Sequence, residues 1–128
     1  MKILLIEDNI SKATHIINAL NNLNETNIMH EKARNSGLKT FIEVMKSTEP
    51  FDFIITDNYM PIYDNERDCK PFAKNIISEI KRRGYTNLPI CVCSSETIED
   101  TNADYTILYN HMIDLEDIFN NIILEINM

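Results

Sequence analysis

The chain has 128 residues and a mass of 14.9 kDa, 44% hydrophobic and 25% charged, which is the size and composition of one domain, residues 1–128, burying a single core. Its net charge of −8 is unevenly placed: all 12 Lys and Arg lie at or before Arg83 with 12 of the 20 acids, so residues 84–128 carry the whole excess, and direct binding of nucleic acid, which needs a basic stripe, is disfavoured. Three cysteines (Cys69, Cys91, Cys93) without a C-x-x-C pair, no apolar run long enough for a bilayer and an N-terminus that meets acids at once argue against a disulfide scaffold, a zinc site, a membrane span and a signal peptide, and lead us to expect a cytoplasmic protein.

Lys2–Ile6 is a nearly continuous apolar run, as in a strand covered on both faces, and it stops on Glu7-Asp8. Ser11–Leu23 then places Ala13, Ile16, Ile17 and Leu20 on one helical stripe. Asn27–Lys32 is a weaker strand, and Ser36–Lys46 a helix with Ser36 as N-cap, presenting Leu38, Phe41, Ile42 and Met45. Phe53–Thr56 is a second buried strand, closed by Asp57. The polar segment Ile62–Lys70 reads as a solvated insertion that overhangs the end of that strand, with a lid or contact surface as the alternative. Pro71–Arg83 is predicted as a helix with Pro in the first turn and Phe72, Ile76, Ile77 and Ile80 inward.

Leu88–Cys93 is a third buried strand ending at Ser94-Ser95; Cys91 and Cys93 alternate about Val92 as packing residues. Ser95–Asp104 is too short and polar for a full helix. Tyr105–Tyr109 is a weaker strand running into Asn110-His111, and Asp114–Ile126 a helix capped by Asp114, with Leu115, Ile118, Ile122, Ile123 and Ile126 on its apolar face. His15 and His30 lack ligand spacing and read as structural. Five alternations of strand and helix predict an α/β, doubly wound, five-stranded parallel sheet with its fourth helix shortened or absent.

In such a sheet ligands gather beyond the carboxyl ends of the strands, which here bring Glu7, Asp8 and Asp57 to one rim. Clustered carboxylates repel one another unless a cation sits among them. An all-oxygen set suits Mg²⁺, beside which Asp57 can act as a carboxylate nucleophile on phosphorus, with the Ser94 hydroxyl donating to the transferred group. Absence of D-x-D after a strand and of a Gly-rich loop (Gly37 and Gly84 are the only glycines) disfavours a phosphohydrolase or flavin protein.

The segments IEDN, DNYMP and PICVCSS, in this order, resemble a receiver domain of bacterial two-component response regulators over residues 2–127. The resemblance implies the flavodoxin-like receiver fold and a signalling role rather than an enzyme's. It makes Asp57 the phosphoacceptor, served by a histidine kinase or phosphotransfer protein, with an unknown downstream protein partner. Asp8, Asp57 and the backbone carbonyl of Tyr59 would hold Mg²⁺, Glu7 would act through a bound water, and Ser94 would be the switch hydroxyl. Three departures follow: a missing Lys, the short 95–104 interval where a typical receiver has its fourth helix, and the segment Ile62–Lys70, longer than the usual tight loop. Typical receivers carry a Lys after the fifth strand that pairs with the phosphoryl group, but no Lys follows residue 83. Its slot falls on Tyr109 or His111: the first donates a hydrogen bond without charge, the second is only partly protonated near neutrality. The aromatic switch position falls on Tyr105 or Thr106. The sequence thus supports a phosphoacceptor with atypical switching, and as alternative a degenerate receiver acting as a phosphorylation-independent interaction module.

Overall fold

The computed structural model describes residues 1–23 and 26–128. Its elements in chain order are β1 (Lys2–Ile6), α1 (Ile10–Asn21), β2 (Asn27–Glu31), α2 (Arg34–Met45), β3 (Phe53–Thr56), β4 (Tyr59–Pro61), β5 (Cys69–Pro71), α3 (Ala73–Arg82), β6 (Ile90–Ser94), β7 (Tyr105–Leu108) and α4 (Leu115–Ile126). Five strands form one parallel sheet in the order β2-β1-β3-β6-β7. This is the doubly wound α/β sheet that the alternation of apolar runs implies.

Alternation along each strand divides the core into two layers. Ile3, Leu5, Phe53, Ile55, Cys91, Cys93 and Ile107 face α1 and α4, which return Ile16, Leu20, Phe119 and Ile123. Leu4, Ile6, Ile54, Ile90 and Val92 face α2 and α3, which return Phe41, Ile76, Ile77 and Ile80. Burial on both faces explains why the central strands read as unbroken apolar runs.

The helix starts differ from expectation in two places. α2 begins at Arg34 after Ala33, so Ser36 lies in the first turn and is not the cap; its hydroxyl donates instead to Asp64 Oδ1 at 2.8 Å. Pro71 belongs to β5 and not to α3. The cause is a closed excursion between β3 and α3. Asn58 fastens its base, accepting from Phe72 N at 2.9 Å through its carbonyl and from Ala73 N at 3.4 Å through Oδ1. Between these ends β4 and β5 pair antiparallel, Tyr59 opposite Pro71 and Pro61 opposite Cys69. The polar 62–70 segment is therefore the turn and return strand of a hairpin. It docks on the start of α2 through Asp64 and through Asn35 N, which donates to the Ile62 carbonyl at 3.1 Å.

Residues 95–104 form no helix. Ile98 and Ala103 pack on the α2–α3 layer, and Asp104 Oδ2 accepts from Ile90 N at 2.9 Å. With no helix over it, that face of β7 is open: Thr106 is exposed and Leu108 is 61% exposed.

Candidate functional site

The chain winds from β1 outward to β2 on one side and then crosses back to β3 on the other side of β1, so the winding reverses between β1 and β3. Crevices open at such reversals, beyond the carboxyl ends of the strands. Glu7 and Asp8 follow β1 there and Asp57 follows β3, and the three offer carboxylate oxygens within 4.8 Å of one another. They line a cleft of about 660 Å³ walled also by Tyr59, Cys69, Ser94, Tyr109 and His111. Glu7 is only 1% exposed and Asp57 9%, so each needs a partner inside the protein.

The partner comes from α1. Lys12, 6% exposed, puts its Nζ 2.6 Å from Glu7 Oε1, 3.2 Å from Asp57 Oδ1 and 2.5 Å from the Cys93 carbonyl oxygen. Asn9 sets it there by capping α1, its Oδ1 accepting from Lys12 N at 2.9 Å. Among the described residues no other cation lies within 4.0 Å of these acids. One ammonium thus serves two carboxylates. Burial, then the charge of Asp57, pushes the Glu7 carboxyl up to about 8 in spite of Lys12. Burial pulls the Lys12 ammonium down, but Asp57 and Glu7 outweigh it and hold the group above the ordinary lysine value.

Lys12 was not among the residues singled out from the sequence, yet the signal was present. It stands four residues before Ile16 and eight before Leu20, in the same buried row of α1. A lysine in an apolar row, one turn after an acidic strand end, is a buried cation with its anions supplied.

The remaining residues fall around this centre. Asp57 Oδ1 also accepts from Asn58 N at 2.7 Å. Tyr59 lies opposite Pro71, which has no N–H to occupy the Tyr59 carbonyl. Ser94 is buried at the end of β6, and its Oγ accepts from Glu96 N at 3.3 Å. Tyr109 lays its ring 5.4 Å from Lys12 Nζ and sets its hydroxyl 2.8 Å from His15 Nδ1. His111 is exposed on the cleft wall. Register puts Tyr105 beside Cys91 on the α1–α4 face, and Thr106 beside Val92 and Leu108 beside Ser94 on the opposite face, so Thr106 and not Tyr105 shares the face of the Ser94 hydroxyl. Cys69 at the start of β5 donates its thiol to Asp8 Oδ2 at 3.5 Å, which joins the hairpin to the acidic cluster. His30 Nε2 meets the Glu7 carbonyl oxygen at 2.7 Å and braces the end of β1.

No family profile and no curated protein sequence matches the chain. Solved structures do match in shape. A two-component response regulator from Cytophaga hutchinsonii superposes with a TM-score of 0.76 over 98% of this chain and 96% of its own, at 14% identity. The chemotaxis response regulator CheY4 of Vibrio cholerae gives 0.69 over 98% and 97%, at 16% identity. The chain has the receiver fold of response regulators. The Mn²⁺-bound form of the response regulator Rcp1 is similar too, with a TM-score of 0.67 over 94% of this chain and 90% of that one, at 18% identity. At such identities the likeness speaks for the receiver fold, and the chemistry rests on this chain's own side chains. Three carboxylates forming an all-oxygen set fit a hard divalent cation of the Mg²⁺ or Mn²⁺ kind. Among the described residues no helix is long and apolar enough to cross a membrane.

Proposed function

We propose that this receiver is a phosphoacceptor of two-component signalling, modified at Asp57. The observation that supports it most is the convergence of Glu7, Asp8 and Asp57 within 4.8 Å at the winding reversal of the sheet. Asp8, Asp57 and the Tyr59 carbonyl would hold Mg²⁺, with Glu7 acting through a water. Bound Mg²⁺ supplies charge neutralisation for an incoming phosphoryl group. An oxygen of Asp57 attacks phosphorus, the bond from phosphorus to the donor breaks, and the donor leaves with that electron pair: a histidine side chain in a kinase or phosphotransfer protein, or acetate from acetyl phosphate. Ser94, buried at the neighbouring strand end, donates to the transferred group. The output is a change in protein contacts in the cytoplasm, not turnover of a substrate.

Acetyl phosphate with Mg²⁺ is expected to add one phosphoryl mass to the intact protein, and Asp57→Asn to abolish it. Absence of any mass gain in the wild type would remove the phosphoacceptor reading. A second reading is favoured by Lys12, which already neutralises Glu7 and Asp57 from within: a receiver that keeps its acids for stability and engages partners unmodified. It predicts partner binding that Asp57→Asn leaves intact.

A further inference from the structure

We infer that Lys12 is the cation that grips a phosphoryl group on Asp57, delivered from the first turn of α1 and not from the segment after the last strand. This rests on the phosphoacceptor reading. An aspartyl phosphate replaces one negative charge at residue 57 with nearly two, inside a pocket that already holds Glu7 and Asp8. Residues 84–128 contain neither Lys nor Arg, so the β6, β7 and α4 side of the cleft brings no permanent positive charge. Lys12 Nζ is already 3.2 Å from Asp57 Oδ1.

Its third contact is the carbonyl of Cys93, the residue before Ser94, so the ammonium lies beside the carboxylate that would be modified and is bonded to the strand that ends on the donating hydroxyl. A lysine is a compact charge on a flexible four-carbon stem, and exchanging a carboxylate oxygen for a phosphoryl oxygen needs only a swing within the cleft. The swing also has a recipient. The Tyr109 ring lies against Lys12 Nζ, and its hydroxyl reaches His15 on the flank of α1. Movement of Lys12 toward a phosphoryl group therefore alters a contact linking the end of β7 to α1.

The test compares Mg²⁺ affinity with beryllofluoride affinity, read by calorimetry and ¹⁹F NMR, in the wild type and Lys12→Met. Lys12 competes with Mg²⁺ for Glu7 and Asp57, so Lys12→Met should bind Mg²⁺ several-fold more tightly. At saturating Mg²⁺ it should bind beryllofluoride roughly tenfold or more weakly, because a charge-assisted contact is gone. A lysine with a merely structural role does not give opposite changes. Unchanged or tighter beryllofluoride binding, or parallel loss of both ligands, overturns the role of Lys12 while wild-type binding leaves Asp57 as phosphoacceptor. Failure of the wild type to bind beryllofluoride, with no mass gain from acetyl phosphate, removes both. If Lys12→Met does not fold, the same comparison is made between Glu7→Gln and Glu7→Gln/Lys12→Met, where no carboxylate of Glu7 is left unpaired.

Discussion

Glu7 is nearly sealed from solvent, and among the described residues its only close cation is shared with Asp57, so its charge is costly until a second cation arrives. In the unfolded chain the carboxyl titrates near 4.5; folding raises it to about 8, by burial first and by Asp57 second. Between those values the folded protein holds a proton that the unfolded one has released, and stability falls as pH rises through that window. Lys12, raised from 10.5, changes charge only above it. Denaturant melts in EDTA should show stability declining from about pH 5 to about pH 8 more steeply in the wild type than in Glu7→Gln; equal slopes would show that Glu7 is already charged in the fold. Lys12→Met should cost about 3–5 kcal/mol without divalent cation, since it strands buried carboxylates, and Mg²⁺ should recover part of the loss. The acids were legible in the sequence because each ends an apolar run abruptly. Lys12 was not, because a helical stripe is recognised by its apolar members and this member is charged.

At the level of the elements, the two glycines separate two kinds of constraint. Gly37 on α2 faces β1, and a Cβ there would lie 2.6 Å from Ile6 Cδ1, inside a closed core. Gly37→Ala gains about 1 kcal/mol of helix propensity but overpacks the α2–β1 contact by about 1–3 kcal/mol, so a net loss near 1 kcal/mol is expected in a chemical melt. Gly84 meets nothing within 4 Å but holds φ at +98° just past α3. Gly84→Ala should lose about 1 kcal/mol through backbone strain alone, leaving the core signals of an NMR spectrum unmoved. The main strands and helices were readable because both faces of the sheet are covered. The β4–β5 hairpin was not: its strands have three residues each and include Pro61 and Pro71, which erase the alternation that marks a strand. Its position is set by Asn58, whose polar side chain at a strand end looks like any turn residue until Ala73 N is seen to donate to it.

For the whole molecule, the acidic cluster lies where the winding reverses, so its repulsion loads the carboxyl ends of the two central strands. A divalent cation bound to the folded state alone stabilises it by about 2.7 kcal/mol at a hundred times its dissociation constant. Millimolar Mg²⁺ should accordingly raise the melting temperature of the wild type, and the rise should shrink sharply in Asp8→Asn, which removes a proposed ligand without touching the Lys12 contacts. The doubly wound parallel fold was legible because it follows from the succession of apolar runs. The uncovered face of β7 was legible only as a missing helix, since nothing local tells how Ile98 and Ala103 would pack in its place. The central claim is that Asp57, among three clustered acids, carries the phosphoryl group. Its most direct test is borohydride reduction after treatment with acetyl phosphate and Mg²⁺, followed by peptide sequencing by mass spectrometry. The account predicts homoserine at position 57 and nowhere else; homoserine at Asp8 or 2-amino-5-hydroxyvalerate at Glu7 instead, or neither at any position while the protein is folded and Mg²⁺-bound, would contradict it.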